Sequence, residues 1–227
     1  PEGERALDYH QRLLKEADVV ITSSQVLYQQ IKPVRPDVIL VPNGIDREHF
    51  RYVGKADKAG SNPLIGFHGA IAEWFDVDLL CEVARLRPDY KFELIGPLSV
   101  EIETFSQIPN IQYREAVPYE DVPQVISRFN VGILPFKLNP MTHAVRPLKV
   151  LEYLAMGVPV VAVPLNEIRH WPGLLFADSP DTFVQQIERA LDLKAKLVAD
   201  QEILDFVAAA AWENTAVALL ERLKKIV

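Results

Sequence analysis

Short apolar runs, rich in β-branched residues, alternate along this chain with longer segments in which apolar residues recur at helical spacing. The runs predict strands, and the longer segments predict helices. Strands are predicted at 17–22, 38–41, 64–68, 91–95, 111–113, 131–135, 158–163 and 174–177, and helices at 4–16, 25–31, 77–86, 122–129, 181–191 and in the segments that follow to 227. Strands that alternate with helices of about ten residues favour a mostly parallel sheet, so the predicted fold class is α/β.

Residues 139–162 carry more functional information than any other stretch. A loop is predicted before Pro147, which suits the first position of a helix because the N–H that proline lacks has no partner there. Gly157 suits the left-handed residue that follows a helix end. Lys149 and Glu152 are the two charges in this otherwise apolar helix. A lysine beside the free N–H groups of a helix start opposes the helix dipole, but it favours the binding of a phosphate.

Glu152 lies about five residues beyond Pro147, or roughly 7–8 Å along a helix axis. This distance matches the separation between the diphosphate of a nucleotide and its ribose hydroxyls, from which a carboxylate accepts hydrogen bonds. The alternative is a solvated pair between Lys149 and Glu152, worth a few tenths of a kcal/mol. Helix geometry alone leaves both interpretations open.

The ends of three predicted strands favour the ligand-binding interpretation. In open parallel sheets, ligands bind beyond the carboxyl ends of the strands. Three predicted strands end at a glycine or a polar loop. Strand 64–68 is followed by a turn at Gly69, and strand 91–95 by Gly96. Strand 131–135 is followed by the loop 139–146. The helix that carries Lys149 and Glu152 begins on the same edge.

The composition is that of an ordinary globular protein, with 49% hydrophobic and 24% charged residues among 227. The formal net charge of -7 makes a nucleic-acid backbone an unsuitable partner, and no nucleic-acid binding is expected. No stretch approaches eighteen unbroken apolar residues, so no membrane-spanning segment is predicted.

Cysteine and histidine indicate no metal centre or disulfide. The single cysteine, Cys81, lies in an apolar-periodic helix and is expected in the core, and one cysteine permits no internal disulfide. The five histidines do not have the spacing of metal ligands, and no metal site is predicted. His68 follows a predicted buried strand, where it is equally consistent with a core-edge residue and with a neighbour of a ligand.

An ordered set of short stretches resembles the nucleotide-sugar-binding half of a GT-B glycosyltransferase of the retaining family four, also described as group 1. The stretches are spread over nearly the whole chain, at 17–24, 41–46, 67–70, 93–96, 117–119, 131–136 and 147–162. Each is weak alone, and their order makes the set specific. The resemblance implies a Rossmann-like parallel sheet with helices on both faces, together with a remnant of an N-terminal domain.

The resemblance also implies a division of the chain. Residues 1–50 would be the tail of an acceptor-side domain and the passage between domains, and the polar, aperiodic residues 51–62 would be a linker. Residues 63–205 would form the donor-binding domain, and 206–227 a C-terminal helix. Because the sequence begins at Pro1 without a methionine, we expect it to be a piece of a longer protein.

Positions that match the family pattern receive roles from the resemblance. Glu152 matches a glutamate that accepts hydrogen bonds from the ribose, and Gly69 and Ala70 match a glycine-rich turn close to the diphosphate. Two further groups are implied: residues near the diphosphate at the helix start (Val145, Arg146, Leu148 and Lys149), and residues whose backbone meets the nucleobase (Arg114 and Val117).

The chain also departs from the family pattern. Ala144 stands where a first, sugar-contacting glutamate is usual, and Ala70, Ile71 and Trp74 stand where basic residues near the diphosphate are usual. A leaving diphosphate still needs positive charge. We therefore expect the side chains of Arg146 and Lys149 to stabilise the leaving group, and those of Asn139, Thr142 and His143 to contact the sugar. The Pro-x-Lys-x-x-Glu-Tyr pattern at 147–153 matches one branch of the superfamily.

The resemblance implies a retaining hexosyltransferase-type enzyme of polysaccharide biosynthesis that needs no cofactor. Its donor would be a nucleoside-diphosphate sugar, and its acceptor a glycan or glycolipid. The saccharide or lipid-linked acceptor would bind the missing N-terminal domain, so this chain alone is expected to be inactive.

Two alternative functions stay open, and so does the location of the protein in the cell. The chain is also consistent with a sugar-nucleotide epimerase on the same fold, and with a nucleotide-binding domain that has lost its chemistry. We expect a cytoplasmic protein. The charged residues at 222–225 leave open a peripheral contact with the inner face of an anionic membrane.

Overall fold

The computed structural model describes residues 2–52, 62–101 and 103–224. Its α-helices are α1 (Glu2–Glu16), α2 (Gln25–Ile31), α3 (Val77–Leu86), α4 (Glu103–Ser106), α5 (Val122–Ile126), α6 (Pro140–His143), α7 (Leu148–Ala155), α8 (Pro180–Leu197), α9 (Gln201–Ala209) and α10 (Trp212–Leu223). Its strands are β1 (Ile21–Thr22), β2 (Ile39–Leu40), β3 (Leu64–His68), β4 (Lys91–Ile95), β5 (Ile111–Arg114), β6 (Val131–Leu134), β7 (Val160–Ala162) and β8 (Leu174–Phe176).

Within these ranges, six strands form the main sheet in the order β5-β4-β3-β6-β7-β8, and each neighbouring pair is parallel. The strand order reverses between β3 and β6, as in a Rossmann fold, and ligands bind in the crevice at such a reversal. β1 and β2 pair separately, also in parallel. The predicted α/β, Rossmann-like fold class is confirmed.

The centre of the sheet is covered on both faces, which explains its β-branched composition. Every residue of β6 and β7 is buried. Gly66 and Gly132 are register partners on β3 and β6. A Cβ at Gly66 would lie 2.2 Å from the Phe129 ring, and a Cβ at Gly132 would lie 2.4 Å from the Tyr153 ring. The two glycines therefore let aromatic rings approach the sheet closely, and α7 sits tightly on β6.

Helix α7 places its apolar face on the sheet through Val150, Leu151, Tyr153 and Leu154. Gly157 follows it with φ +68, in the predicted left-handed conformation. Pro147 is the N-cap rather than the first helical residue, because its ψ of 114 is extended. The Pro147 carbonyl accepts from the N–H of Val150 at 3.2 Å, but proline offers no side-chain acceptor for the amides of Leu148 and Lys149.

Some elements differ from those predicted. β1 is restricted to two residues, although the apolar run begins at 17, since β2 is its only ladder partner in the described chain. α5 ends at Ile126, short of the predicted 129. Helices α4 and α6 were not expected, and α6 lies inside the predicted loop 139–146. The sequence pattern predicts helical segments up to 227, and the structure has α9 and α10 there, whereas the resemblance implies a single C-terminal helix at 206–227.

The N-terminal segment and the C-terminal helices meet at a backbone pairing. The N–H of Ile45 donates to the carbonyl of Ala210 at 2.9 Å, and the N–H of Trp212 donates to the carbonyl of Ile45 at 3.1 Å. The break between α9 and α10 therefore lies against the segment that follows β2. Most of the predicted linker 51–62 lies outside the described residues, and the division into domains stays a prediction.

Candidate functional site

Two glycine turns meet at the carboxyl edge of the sheet, next to the strand-order reversal. Gly69 follows β3 with φ +134, and Gly96 follows β4 with φ +146. These values lie in the region that favours glycine. A Cβ at Gly96 would lie 2.2 Å from the carbonyl oxygen of Gly69. The backbone angles at both positions therefore require glycine. At Gly96 the close approach of the two turns also leaves no room for a side chain.

The amine of Lys149 lies over the first of these turns. A Cβ at Gly69 would be 2.8 Å from Lys149 Cε and 3.1 Å from Nζ. The amine is also 5.2 Å from the ring centroid of Phe67 and 5.4 Å from that of Phe136. Burial lowers the pKa of Lys149, and the nearby carboxylate of Glu152 opposes this shift. The glycine turn therefore faces a confined amine.

Glu152 lies one helical turn further along α7 and is not a solvated residue. Its side chain is 16% exposed, and its Oε2 atom is 3.9 Å from Nδ1 of His68. Burial raises the pKa of Glu152, and electrostatic interactions with Lys149 and His49 oppose the rise. The alternative of a fully solvated Lys149–Glu152 pair does not fit this position.

His68 is the last residue of β3 and faces Glu152. Its backbone N–H donates to the hydroxyl of Tyr153 at 2.8 Å. Its Nδ1 atom is buried, and among the described residues it has no hydrogen-bond partner. Burial, aided by the charge of Lys149, lowers the pKa of His68 to about 4, so the ring is neutral at pH 7. Sequence reasoning left His68 undecided, although its place before Gly69 at a strand end was a usable signal.

Arg146 lies beside Trp171, whereas Lys149 lies over the Gly69 turn. Its guanidinium carbon lies 4.4 Å from the ring centroid of Trp171. Burial lowers the pKa of Arg146, and Glu167 is the charge that opposes the shift. Its Nε atom is buried without a hydrogen-bond partner among the described residues. The Lys149 amine and the Arg146 guanidinium thus contact different sets of side chains.

The three expected sugar contacts belong to α6 and its cap. Asn139 and Thr142 form a capping box, in which the Asn139 side chain accepts from the Thr142 N–H at 2.9 Å. The Thr142 side chain is buried, and its hydroxyl donates to the carbonyl of Lys137 at 2.6 Å. Nδ1 of His143 accepts from the N–H of Asn166 at 3.4 Å. Thr142 therefore has a local structural role, and its role towards a sugar stays a prediction.

Of the positions expected near a nucleobase, Arg114 is the last residue of β5 and Val117 lies beyond the strand. The carbonyl of Arg114 accepts from the N–H of Gly96 at 3.2 Å. The Arg114 side chain pairs at 3.3 Å with the buried carboxylate of Glu93. Val117 is half-buried against the core. Beyond it, Tyr119 stacks on His49, with ring centroids 4.2 Å apart.

The remaining predicted site residues are less constrained. Val145 is 39% exposed, Leu148 is half-buried against the core, and Ala70 is half-buried in the turn after Gly69. Ala144 is the C-cap of α6. The structure brings Gly69, His68, Lys149 and Glu152 together, and it places Arg146 in a second group with Trp171 and Glu167.

Among the described residues, no group of three or more histidine, cysteine, aspartate or glutamate side chains is arranged to hold a metal ion. None of the helices within the described ranges is long and apolar enough to cross a membrane.

Comparison with known proteins gives a family. The sequence profile of the family described as glycosyl transferases group 1 matches residues 62–193, more than half of the chain. A Bacillus subtilis (strain 168) protein named as a teichuronic acid biosynthesis glycosyltransferase, TuaH, is 29% identical over 167 residues, which is 68% of this chain and 42% of that protein. The chain therefore spans less than half the length of this curated relative.

Solved structures share the fold. Sucrose-phosphate synthase from Thermosynechococcus elongatus matches with a TM-score of 0.75 and 17% identity, over 98% of this chain and 62% of that chain. Anabaena HepE in complex with UDP and glucose matches with a TM-score of 0.73 and 14% identity, over 93% of this chain and 64% of that chain. At these identities the likeness concerns the fold alone. With its profile match, the chain belongs to the group 1 glycosyl transferases.

Proposed function

We propose that this chain is the donor-binding part of a retaining glycosyltransferase, which transfers a sugar from a nucleoside-diphosphate sugar to a glycan or glycolipid. One observation carries the proposal. The amine of Lys149 lies over the Gly69 turn, and the carboxylate of Glu152 lies one helical turn further at the same edge of the sheet.

The diphosphate of the donor would bind between the Gly69 turn and the start of α7. Lys149 and the first amides of α7 would hold its negative charge. As the bond to the sugar breaks, charge develops on the diphosphate, and a fixed, confined cation stabilises that charge better than water does. Lys149 would thus supply charge that the family usually takes from residues at the positions of Ala70, Ile71 and Trp74.

The ribose would lie at Glu152, which accepts hydrogen bonds from its hydroxyls. The nucleobase would then lie beyond Glu152, towards the backbone of Arg114 and Val117. In support, a protein of the same fold, HepE, was solved with UDP and glucose. The name of TuaH, which refers to teichuronic acid biosynthesis, supports a polysaccharide as the product.

The acceptor would bind outside residues 1–227, as a saccharide or lipid-linked chain. We therefore expect this chain alone to bind nucleotide without transferring sugar. We also place it in the cytoplasm, with a peripheral contact at the inner membrane face as a further proposal. Sugar transfer by residues 1–227 alone would contradict the first of these expectations.

The test is isothermal titration calorimetry of residues 1–227 with UDP, GDP, ADP and TDP. At least one should bind, and both Lys149→Met and Glu152→Gln should weaken that binding by about tenfold or more, because the first removes a charged donor and the second replaces a charged acceptor by a neutral one. The matched controls are Lys91→Met and Glu82→Gln, whose side chains are exposed at the start of β4 and on α3. If none of the four nucleotides binds, the proposed function is wrong.

The two alternative functions are separable by product analysis with the longer protein. A sugar-nucleotide epimerase would change the configuration of a labelled donor without an acceptor, whereas a transferase would move the label to an acceptor. The family match favours transfer. A domain that has lost its chemistry would bind nucleotide and give neither product.

A further inference from the structure

The gap between His68 and Glu152 suits one hydroxyl group. Nδ1 of His68 and Oε2 of Glu152 are 3.9 Å apart, too far for a direct hydrogen bond. A hydroxyl oxygen about 2.8 Å from both atoms would meet them at an angle of roughly 90°, which allows one hydrogen bond from each side. The two atoms are therefore spaced for a shared partner.

Both side chains are held in place by the fold. The His68 N–H donates to the hydroxyl of Tyr153, and Tyr153 follows Glu152 on α7. The Tyr153 side chain is fully buried. A hydrogen bond of this buried side chain thus joins the end of β3 to the turn of α7 that carries Glu152. It helps to fix the distance between His68 and Glu152.

Nδ1 of His68 needs a partner that the described residues do not supply. A buried polar atom without a hydrogen bond is costly, and such atoms in a cleft are often satisfied by water or ligand. The low pKa of His68 keeps its ring neutral, so one ring nitrogen carries a proton and the other accepts. With the proton on Nδ1, the ring donates to a hydroxyl that in turn donates to Glu152.

We infer that His68 is a specificity-determining residue of the donor site, whose Nδ1 binds a ribose hydroxyl together with Glu152. The inference rests on the proposed function, because it takes the ribose to lie at Glu152. It predicts that the site distinguishes a ribonucleotide from a deoxynucleotide, since loss of the bridging hydroxyl leaves both atoms without their partner.

The test compares UDP, GDP and ADP with their 2′-deoxy and 3′-deoxy analogues by calorimetry on residues 1–227. One of the two hydroxyls should be the bridging one, and wild-type protein should bind the analogue that lacks it about tenfold more weakly. His68→Phe should weaken binding of the ribonucleotide about three- to tenfold and leave that of this analogue unchanged. His68→Asn, whose amide N–H can lie close to the position of Nδ1, should restore part of the discrimination.

The control is His10→Phe, an exposed histidine on α1 that should have no effect. Equal loss for ribonucleotide and deoxy analogue in His68→Phe would mean that the ring acts only on the shape of the site, and it would overturn the inference. The inference would also be overturned if His68→Phe bound the ribonucleotide as well as the wild type does while Glu152→Gln bound it more weakly. The proposed function would survive that result. If His68→Phe does not fold, the same comparison with His68→Leu decides, because leucine also has no hydrogen-bonding group at this position. Absence of any nucleotide binding by the wild type would remove the proposed function and the inference together.

Discussion

The hydroxyl of Tyr153 accepts a hydrogen bond from the backbone N–H of His68, across a sequence distance of 85 residues. Tyr153 also packs in the space left by Gly132, so its ring contacts β6 while its hydroxyl reaches the end of β3. One side chain of α7 thus ties together the two strands at which the sheet reverses its order. The residue before it, Glu152, takes its position in the site from this tie.

Replacing Tyr153 by phenylalanine should therefore affect both stability and binding. The His68 N–H would lose its acceptor, and the expected loss in the free energy of unfolding is about 1–3 kcal/mol. Nucleotide affinity should fall as well, because the end of β3 is no longer held against α7. Urea unfolding and calorimetry measure the two effects. Tyr9→Phe on the exposed face of α1 is the control, and a Tyr153→Phe variant with the stability of the wild type would contradict the prediction.

Replacing Gly69 by alanine should abolish nucleotide binding. The φ of +134 is strained for alanine, and the new methyl group would displace the Lys149 amine. Gly173→Ala is a matched control, since Gly173 also has a positive φ, of +75, and an added Cβ would lie 2.7 Å from Ile203. We expect both variants to lose about 1–3 kcal/mol of stability. Only Gly69→Ala should lose affinity, and equal affinity in the two variants would contradict this.

His68 should make the protein less stable in mild acid. Its pKa is lowered from 6.5 to about 4, so between these values the unfolded chain binds a proton that the folded chain does not. The contribution of the neutral His68 ring to the free energy of unfolding is fully present above pH 6.5, and it is lost as the pH falls through this window. Its upper limit is on the order of 3 kcal/mol.

Urea unfolding at pH 7.5 and 4.5 measures this effect, with His68→Phe as the comparison. The variant should lose less stability than the wild type over this range, because phenylalanine does not titrate. The raised pKa of Glu152 acts in the opposite direction, since it lets the folded protein take up a proton as the pH falls, but it is present in both proteins. Equal losses in both would show that His68 does not contribute.

Much of the fold follows from local pattern. Strands β3 and β4 and helix α3 have the predicted bounds, because each combines a clear period with a marked end, such as the Asp76 cap of α3. Helix α6 was missed because four residues show no period. Its evidence is the capping box between Asn139 and Thr142, a pairing of side chains that becomes clear in three dimensions.

Some residues of the candidate site could likewise be identified from the sequence, and others only from the fold. Lys149 and Glu152 stand out in the sequence, since each is a charge on an apolar helix. The neighbours of Arg146 do not stand out, because the contact with Trp171 and the electrostatic effect of Glu167 both depend on how the loop after β7 folds. The role inferred for His68 likewise depends on a gap of 3.9 Å between residues far apart in sequence.

Glu167 provides a last prediction, on the attachment of the N-terminal segment. Its carboxylate accepts from the N–H groups of Gln25 at 3.0 Å and Val26 at 2.6 Å, and so caps α2 from 141 residues away. Glu167→Ala removes both acceptors, and the expected cost is that of a lost helix cap, about 0.5–2 kcal/mol. Hydrogen exchange should then be faster at the amides of 25–31, while those of α8 stay protected. The exposed Glu221→Ala should change neither, and unchanged exchange in α2 of Glu167→Ala would show that Ser24, its other cap, is sufficient.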